Sequence, residues 1–165
     1  MKSVVIFLVL LFCVSVAEVR AQLGKPYNAA IGLRMGASQG ISGKYMFRPK
    51  SGFESIILKR EKDMHLVLLY EEHFYPFTNQ DLFFFIGGGG HVGIGGLQQF
   101  ADNGVELGIS GIIALEFKIP KVPLSISGDF RPLFSIVQRD TFEKRFRYDD
   151  GAVTIRYLIG ARYKK

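Results

Sequence analysis

A chain of 165 residues with 15 Phe, 7 Tyr, 19 Gly and 22% charged residues has room for one domain and is too apolar and aromatic to be a disordered segment. Each glycine costs a helix interior about 1 kcal/mol, whereas aromatic and β-branched side chains suit strands, so the composition favours an all-β fold over long soluble helices. A formal net charge of +6 suits anionic lipid headgroups, but so modest a basic excess more often marks a generic solvated surface; no nucleic-acid partner is expected.

At the N-terminus, Lys2 precedes an apolar run from Val4 to Val16, and Val19 and Ala21 place small residues at the −3 and −1 positions of a cleavage site. Residues 1–21 therefore read as a secretory signal peptide and 22–165 as the mature domain. A membrane-spanning helix would need about 20 apolar residues, and Glu18 and Arg20 interrupt the run. Cys13 lies inside it, after the bulky Phe12 that a lipid-anchoring signal would not tolerate. A chain starting at Gln22 thus has no thiol for a disulfide, a metal or catalysis. No later stretch is long and apolar enough for a spanning helix, so entry into a membrane would require a closed barrel, which alone satisfies every strand N–H and C=O in lipid.

Period-two alternation then predicts eight strands, each bounded by turn residues. The first runs near Ala29 to Ala37, with Ile31, Leu33 and Met35 on one face. The second covers Gly40 to Arg48, with Ile41, Tyr45 and Phe47 opposite Ser42, Lys44 and Arg48. Pro49 to Gly52 reads as a turn, because proline pre-sets φ and glycine accepts positive φ. The third and fourth strands, Phe53 to Arg60 and Met64 to Phe74, flank Glu61 to Asp63. Their facing is blurred by Ile56-Ile57-Leu58 and Leu66-Val67-Leu68-Leu69. Tyr75 to Asp81 connects to a fifth strand, Leu82 to Gly95. The sixth, Leu107 to Phe117, is followed by the Ile119 to Pro123 turn and by the seventh, Leu124 to Leu133. The eighth alternates from Val153 to Tyr163. The two longest connections, Gly96 to Glu106 and Ser135 to Asp150, follow strands five and seven and so fall at one end of an up-and-down barrel, as extracellular loops would.

Alternation alone does not say which face is inside. A soluble barrel such as a lipocalin turns apolar residues inward, and a membrane barrel inverts this. The minor face carries Arg34, Lys44, Glu116, Asp129, Arg131, Arg156 and Arg162 beside Gly and Ser, a mixed-sign set able to pair within a narrow lumen. Aromatics near strand ends (Tyr27, Phe47, Phe74, Tyr75, Phe77, Phe117, Tyr157 and Tyr163) are arranged like interfacial girdles.

These features resemble the small eight-stranded outer-membrane barrels of the OmpA and OmpX type, and more closely a family of short outer-membrane β-barrel proteins. The resemblance rests on Ile31 to Gly36, Gly40 to Tyr45, Gly87 through Gly96, Gly108 to Pro123, Asp129-Phe130-Arg131-Pro132 and Gly151 to Leu158, which together span nearly the whole mature chain. It implies an eight-stranded antiparallel transmembrane barrel with a side-chain-filled lumen, in the outer membrane of a Gram-negative cell, with outer-membrane lipids and the barrel-insertion machinery as partners. The last strand resembles the C-terminal signal that such machinery reads, although Lys164 and Lys165 follow Tyr163 where the family ends on the aromatic.

Other motifs carry less. Gly88-Gly89-Gly90-His91-Val92-Gly93 matches a dinucleotide-binding spacing, but the fingerprint needs a helix opening at its third glycine, which Ile94-Gly95-Gly96 does not supply. His65, His91 and His73 lack the spacing of a zinc motif. Glu71, Glu72, His73 and His91 are conceivable acid–base groups for a lipid-modifying hydrolase with a serine nucleophile, yet no serine stands beside a histidine on one face of the same strand. The mixed charges from Gln138 to Asp150 read as a solvated loop. That loop and Leu97 to Glu106 are where a partner site would lie, since loops on a rigid scaffold carry recognition. The expectation is a non-enzymatic, cofactor-free envelope protein of structural or interaction role. An outer-membrane lipid-modifying enzyme is the alternative, and a soluble periplasmic ligand-binding barrel the third reading.

Overall fold

The computed structural model describes residues 25–60, 63–76, 81–94, 105–138, 146–148 and 150–161; residues 1–21, read above as a signal peptide, and Phe77, Arg162 and Tyr163 lie outside them. The described residues form ten strand segments: β1 Ala29–Gly36, β2 Gln39–Met46, β3 Ser51–Arg60, β4 Asp63–Phe74, β5 Leu82–Ile94, β6 Val105–Lys118, β7 Leu124–Phe130, β8 Leu133–Gln138, β9 Phe146–Arg147 and β10 Gly151–Ile159. Every pairing is antiparallel, from β1 through β2, β3, β4, β5 and β6 to β7, then β10 and back to β1. The result is a closed, eight-stranded, antiparallel β-barrel, whose first and last strands are neighbours.

Ten segments make eight staves because two staves are broken. β6 pairs with β7 along Ile113 to Lys118 and with β8 along Glu106 to Ser110, so β7 and β8 are one stave interrupted at Arg131 and Pro132. Proline has no N–H to give a ladder. Its carbonyl nonetheless accepts from Gly111 N at 2.9 Å, and Arg131 N donates to Asp150 O at 3.0 Å, which holds the break closed. β9 pairs with β8 and is the first piece of the stave that β10 completes.

The sequence reading is corrected in three places here. The connection expected over Ser135 to Asp150 is shorter, because Leu133–Gln138 and Phe146–Arg147 are strand. It now matches residues 75–81 in length, and only residues 95–104 stand out as long. The last strand stops at Ile159 rather than Tyr163: Gly160 adopts φ 70°, and a Cβ there would lie 2.5 Å from Asn28 Nδ2. The turn expected at Pro49 to Gly52 sits slightly earlier, since β3 already includes Ser51 and Gly52.

Facing follows the pleat. Ile31, Leu33, Ile41, Ile57, Leu68, Ile109, Ile113, Leu115 and Ile155 point outward and are exposed, while Arg34, Ser42, Lys44, Glu54, Glu116 and Arg156 point inward and are at most 2% exposed. The two blurred strands resolve with apolar residues on both faces. Ile56, Leu58, Val67 and Leu69 turn inward with Phe83, Phe85, Ile112 and Leu158 to form an apolar cluster, and Ile57, Leu66 and Leu68 turn outward. The Gly87 to Gly90 run lies wholly within β5, in strand conformation rather than at a helix start.

One end of the barrel, where the termini emerge, carries outward aromatics on successive strands. Phe53 packs against Phe47 at 5.0 Å and against Tyr70 at 5.8 Å between ring centroids, and Phe74 stacks on Phe84 at 4.9 Å. Tyr45, Phe117 and Tyr157 are exposed on neighbouring strands. Tyr27 and Tyr75, expected in such a girdle, instead turn inward and are buried. Both have polar acceptors there: Tyr27 Oη donates to Glu116 Oε2 at 3.4 Å and Tyr75 Oη to the Pro49 carbonyl at 3.2 Å.

Candidate functional site

Inward residues from all eight staves meet in three ionic groups. The first is central. Arg156 of β10 reaches Glu54 Oε1 of β3 at 2.6 Å, donates from Nη1 to Ser127 Oγ and from Nε to Ser42 Oγ at 3.3 Å, and lies 3.8 Å from Glu116. Lys44 of β2 sits 2.8 Å from Glu71, 3.6 Å from Glu116 and 3.9 Å from Glu54, with Phe85's ring centroid 3.5 Å from Nζ. His73 Nε2 is 3.2 Å from Glu71 Oε2, and its ring stacks on Phe85. Removing such charges from water costs several kcal/mol per ion, which only close pairing and hydrogen bonding offset. The central group has both.

The second group lies where the broken staves meet the β1–β2 turn. Arg34 bridges Asp129 at 2.6 Å and Asp150 at 3.2 Å. Ser38 Oγ donates to Asp150 Oδ1 at 2.6 Å, and Arg131 Nε donates to Asp150 Oδ2 at 2.9 Å. Thr154 Oγ1 completes Asp129 at 3.3 Å. Two guanidiniums thus face two carboxylates across the Arg131–Pro132 break. Asp150 stands outside the strands; burial alone would push its carboxyl up, but Arg131 and Arg34 beside it hold it below the ordinary carboxylate range. A lowered folded value means that the stabilisation is fully present above the unfolded carboxylate range and is lost as pH falls through the folded value. Acid is therefore expected to loosen this end of the barrel. Asp150→Asn should flatten that acid dependence, read as urea midpoint against pH below about 4.

The third group lies at the same end of the barrel, where β5 ends at Ile94 and β6 begins at Val105. Ser110 Oγ is 2.8 Å from His91 Nδ1, and His91 Nε2 is 3.4 Å from Glu106 Oε1. Arg147 Nη2 donates to both oxygens of Glu106 at 2.9 Å, Ser135 Oγ donates to the same carboxylate, and His65 Nδ1 lies 4.0 Å from it. These rings fit because the facing strand positions are glycines. A Cβ on Gly108 would stand 2.6 Å from His91 Cε1 and collide with the Phe134 carbonyl. Backbone cannot step aside as a side chain can, so Gly108→Ala is expected to lower stability by roughly 1–3 kcal/mol, measured by urea unfolding of the reconstituted barrel.

Of the residues singled out from sequence, Arg34, Lys44, Glu116, Asp129, Arg131 and Arg156 all lie in the interior, split between the first two groups, and Arg162 falls outside the described residues. The sequence reading missed Glu54, Asp150, Glu106 and Arg147 as interior partners and placed Glu71 and His73 only as conceivable acid–base groups. Glu54 and Glu71 sit in the two strands whose alternation is blurred. Asp150 and Arg147 sit in what reads as a loop. Ser110 and His91 are on adjacent strands, a pairing that sequence spacing within one strand does not reveal. No protein-family model matches the chain, and no curated protein matches it.

Proposed function

We propose that this chain is a small outer-membrane β-barrel protein, with a structural or interaction role in the cell envelope and a lumen closed by its own side chains. The carrying observation is the inverted distribution: exposed Ile, Leu, Phe and Tyr around the outside, and buried Arg, Lys, Glu and Asp within. On a water-facing surface that belt would be an apolar patch far beyond what soluble monomers expose; in a bilayer it is the expected lining. The aromatic girdle at one end supports the same reading, since Tyr and related rings favour the headgroup level. A soluble ligand-binding barrel would keep its interior apolar, whereas this interior holds three ionic groups. Eight staves also leave little bore, so bulk solute transport is not its work. The partners on this reading are outer-membrane lipids, the insertion machinery and whatever meets the 95–104 and 139–145 connections.

The test is fractionation followed by bilayer-side labelling. Expected are outer-membrane fractionation, detergent-dependent extraction, different gel mobility before and after boiling, and reaction of a lipid-borne photoprobe with Ile155 and Leu68 rather than Arg156 and Asp129. Release by osmotic shock without detergent, or labelling of the ionic residues instead, would sink the reading.

A further inference from the structure

We propose that Ser110 is a nucleophile activated by His91, and that the end of the barrel where β5 ends and β6 begins cleaves carboxylic esters. Ser110 on β6 and His91 on β5 both face inward, 96% buried, with Oγ 2.8 Å from Nδ1. With its proton on Nε2, the neutral ring leaves Nδ1 free to accept from the Ser110 hydroxyl. Nε2 lies 3.4 Å from the Glu106 carboxylate, is itself buried, and makes no hydrogen bond of good geometry among the described residues. Glu106 therefore favours the tautomer in which His91 is a base toward Ser110, as a carboxylate on the far ring nitrogen does in general. Arg147 and Ser135 fix Glu106 in place, which makes it a positioning residue rather than a reacting one.

The chemistry balances without any further reactant. Ser110 Oγ attacks the ester carbonyl carbon as its proton passes to His91 Nδ1. The C–O bond to the leaving alcohol then breaks, and the alkoxide takes that proton. Water, deprotonated by the same nitrogen, next attacks the acyl-serine, releasing the carboxylic acid and restoring the hydroxyl. The substrate class is a carboxylic ester with a small acyl group, because Ser110 and His91 are almost wholly buried and Arg147 beside them keeps only 13% side-chain exposure. This inference does not depend on where in the cell the barrel resides.

The experiment uses the purified chain in detergent micelles with a fluorophosphonate probe, which forms an Oγ–P bond as the P–F bond breaks and fluoride leaves. One adduct per chain is expected, mapped to Ser110 by mass spectrometry, together with turnover of short-chain p-nitrophenyl esters. His91→Gln should slow labelling about 100-fold or more. Glu106→Gln should slow it while Glu106→Asp restores it, each variant keeping the boiling-sensitive gel mobility of a closed barrel. Because the adduct is mapped on the unsubstituted protein, a variant that fails to fold does not decide the matter. A closed barrel with no adduct, an adduct elsewhere, or labelling indifferent to His91→Gln overturns the assignment.

Discussion

Replacing Arg156 by methionine is expected to cost about 3–5 kcal/mol of barrel stability, the penalty for leaving buried carboxylates without their cation. Arg156 is 1% exposed and ties together β10, β3, β2 and β7 through Glu54, Ser42 and Ser127. Lys44 lies 3.9 Å from Glu54 and already serves Glu71, so it does not replace the lost guanidinium. The companion variant is informative: Glu54→Gln combined with Arg156→Met removes both members of the closest pair and should recover much of the loss, since the desolvation cost of that pair goes with it. Urea titration in lipid vesicles, scored by the boiling-sensitive gel band, separates the two. Equal midpoints for Arg156→Met and the original chain would show that the central ionic group does not hold the staves together.

The second large effect concerns the outside. Arginine at Leu68 or Ile155, outward residues near the middle of β4 and β10, is expected to cost about 2–4 kcal/mol, and arginine at Val122, in the turn between β6 and β7, about 0–1 kcal/mol. All three positions are exposed, at 58%, 42% and 39%. On a soluble barrel exposed substitutions stay within about 0.5 kcal/mol wherever they fall. The gradient between mid-strand and rim, rather than any single value, distinguishes a hydrocarbon surround from water. A flat profile in vesicles would exclude a membrane-embedded belt.

How far the sequence reaches is clearest in the contrast between strands. β1 and β10 alternate cleanly, and from them one reads Ile31, Leu33 and Ile155 on one face and Arg34, Arg156 and Thr154 on the other, as the structure has them. β3 and β4 do not, because the interior beside them is itself apolar: Ile56, Leu58, Val67 and Leu69 pack where glycine-rich β5 supplies little side-chain volume. Alternation vanishes when both faces favour the same chemistry, and with it went the inward facing of Glu54 and Glu71. The broken staves escaped for a different reason. Pro132 reads as the end of a strand, whereas here the ladder resumes one residue later, because the Pro132 carbonyl accepts from Gly111 N and Arg131 N donates to the Asp150 carbonyl. The third ionic group was least legible of all, since Ser110, His91, Glu106 and Arg147 converge only through closure of β5, β6, β8 and β9.

The pairing of β1 with β10 runs from Ala29 opposite Ile159 to Gly36 opposite Ala152. This seam joins the earliest strand to the latest, so no shorter piece of the chain can satisfy both of its own edges. In the membrane setting proposed above, a sheet lacking residues 151–159 would carry two rows of unpaired amides and carbonyls, which hydrocarbon does not tolerate. On that reading the seam closes last, and it encloses Arg34, Arg156 and their acidic partners in a single event rather than stave by stave.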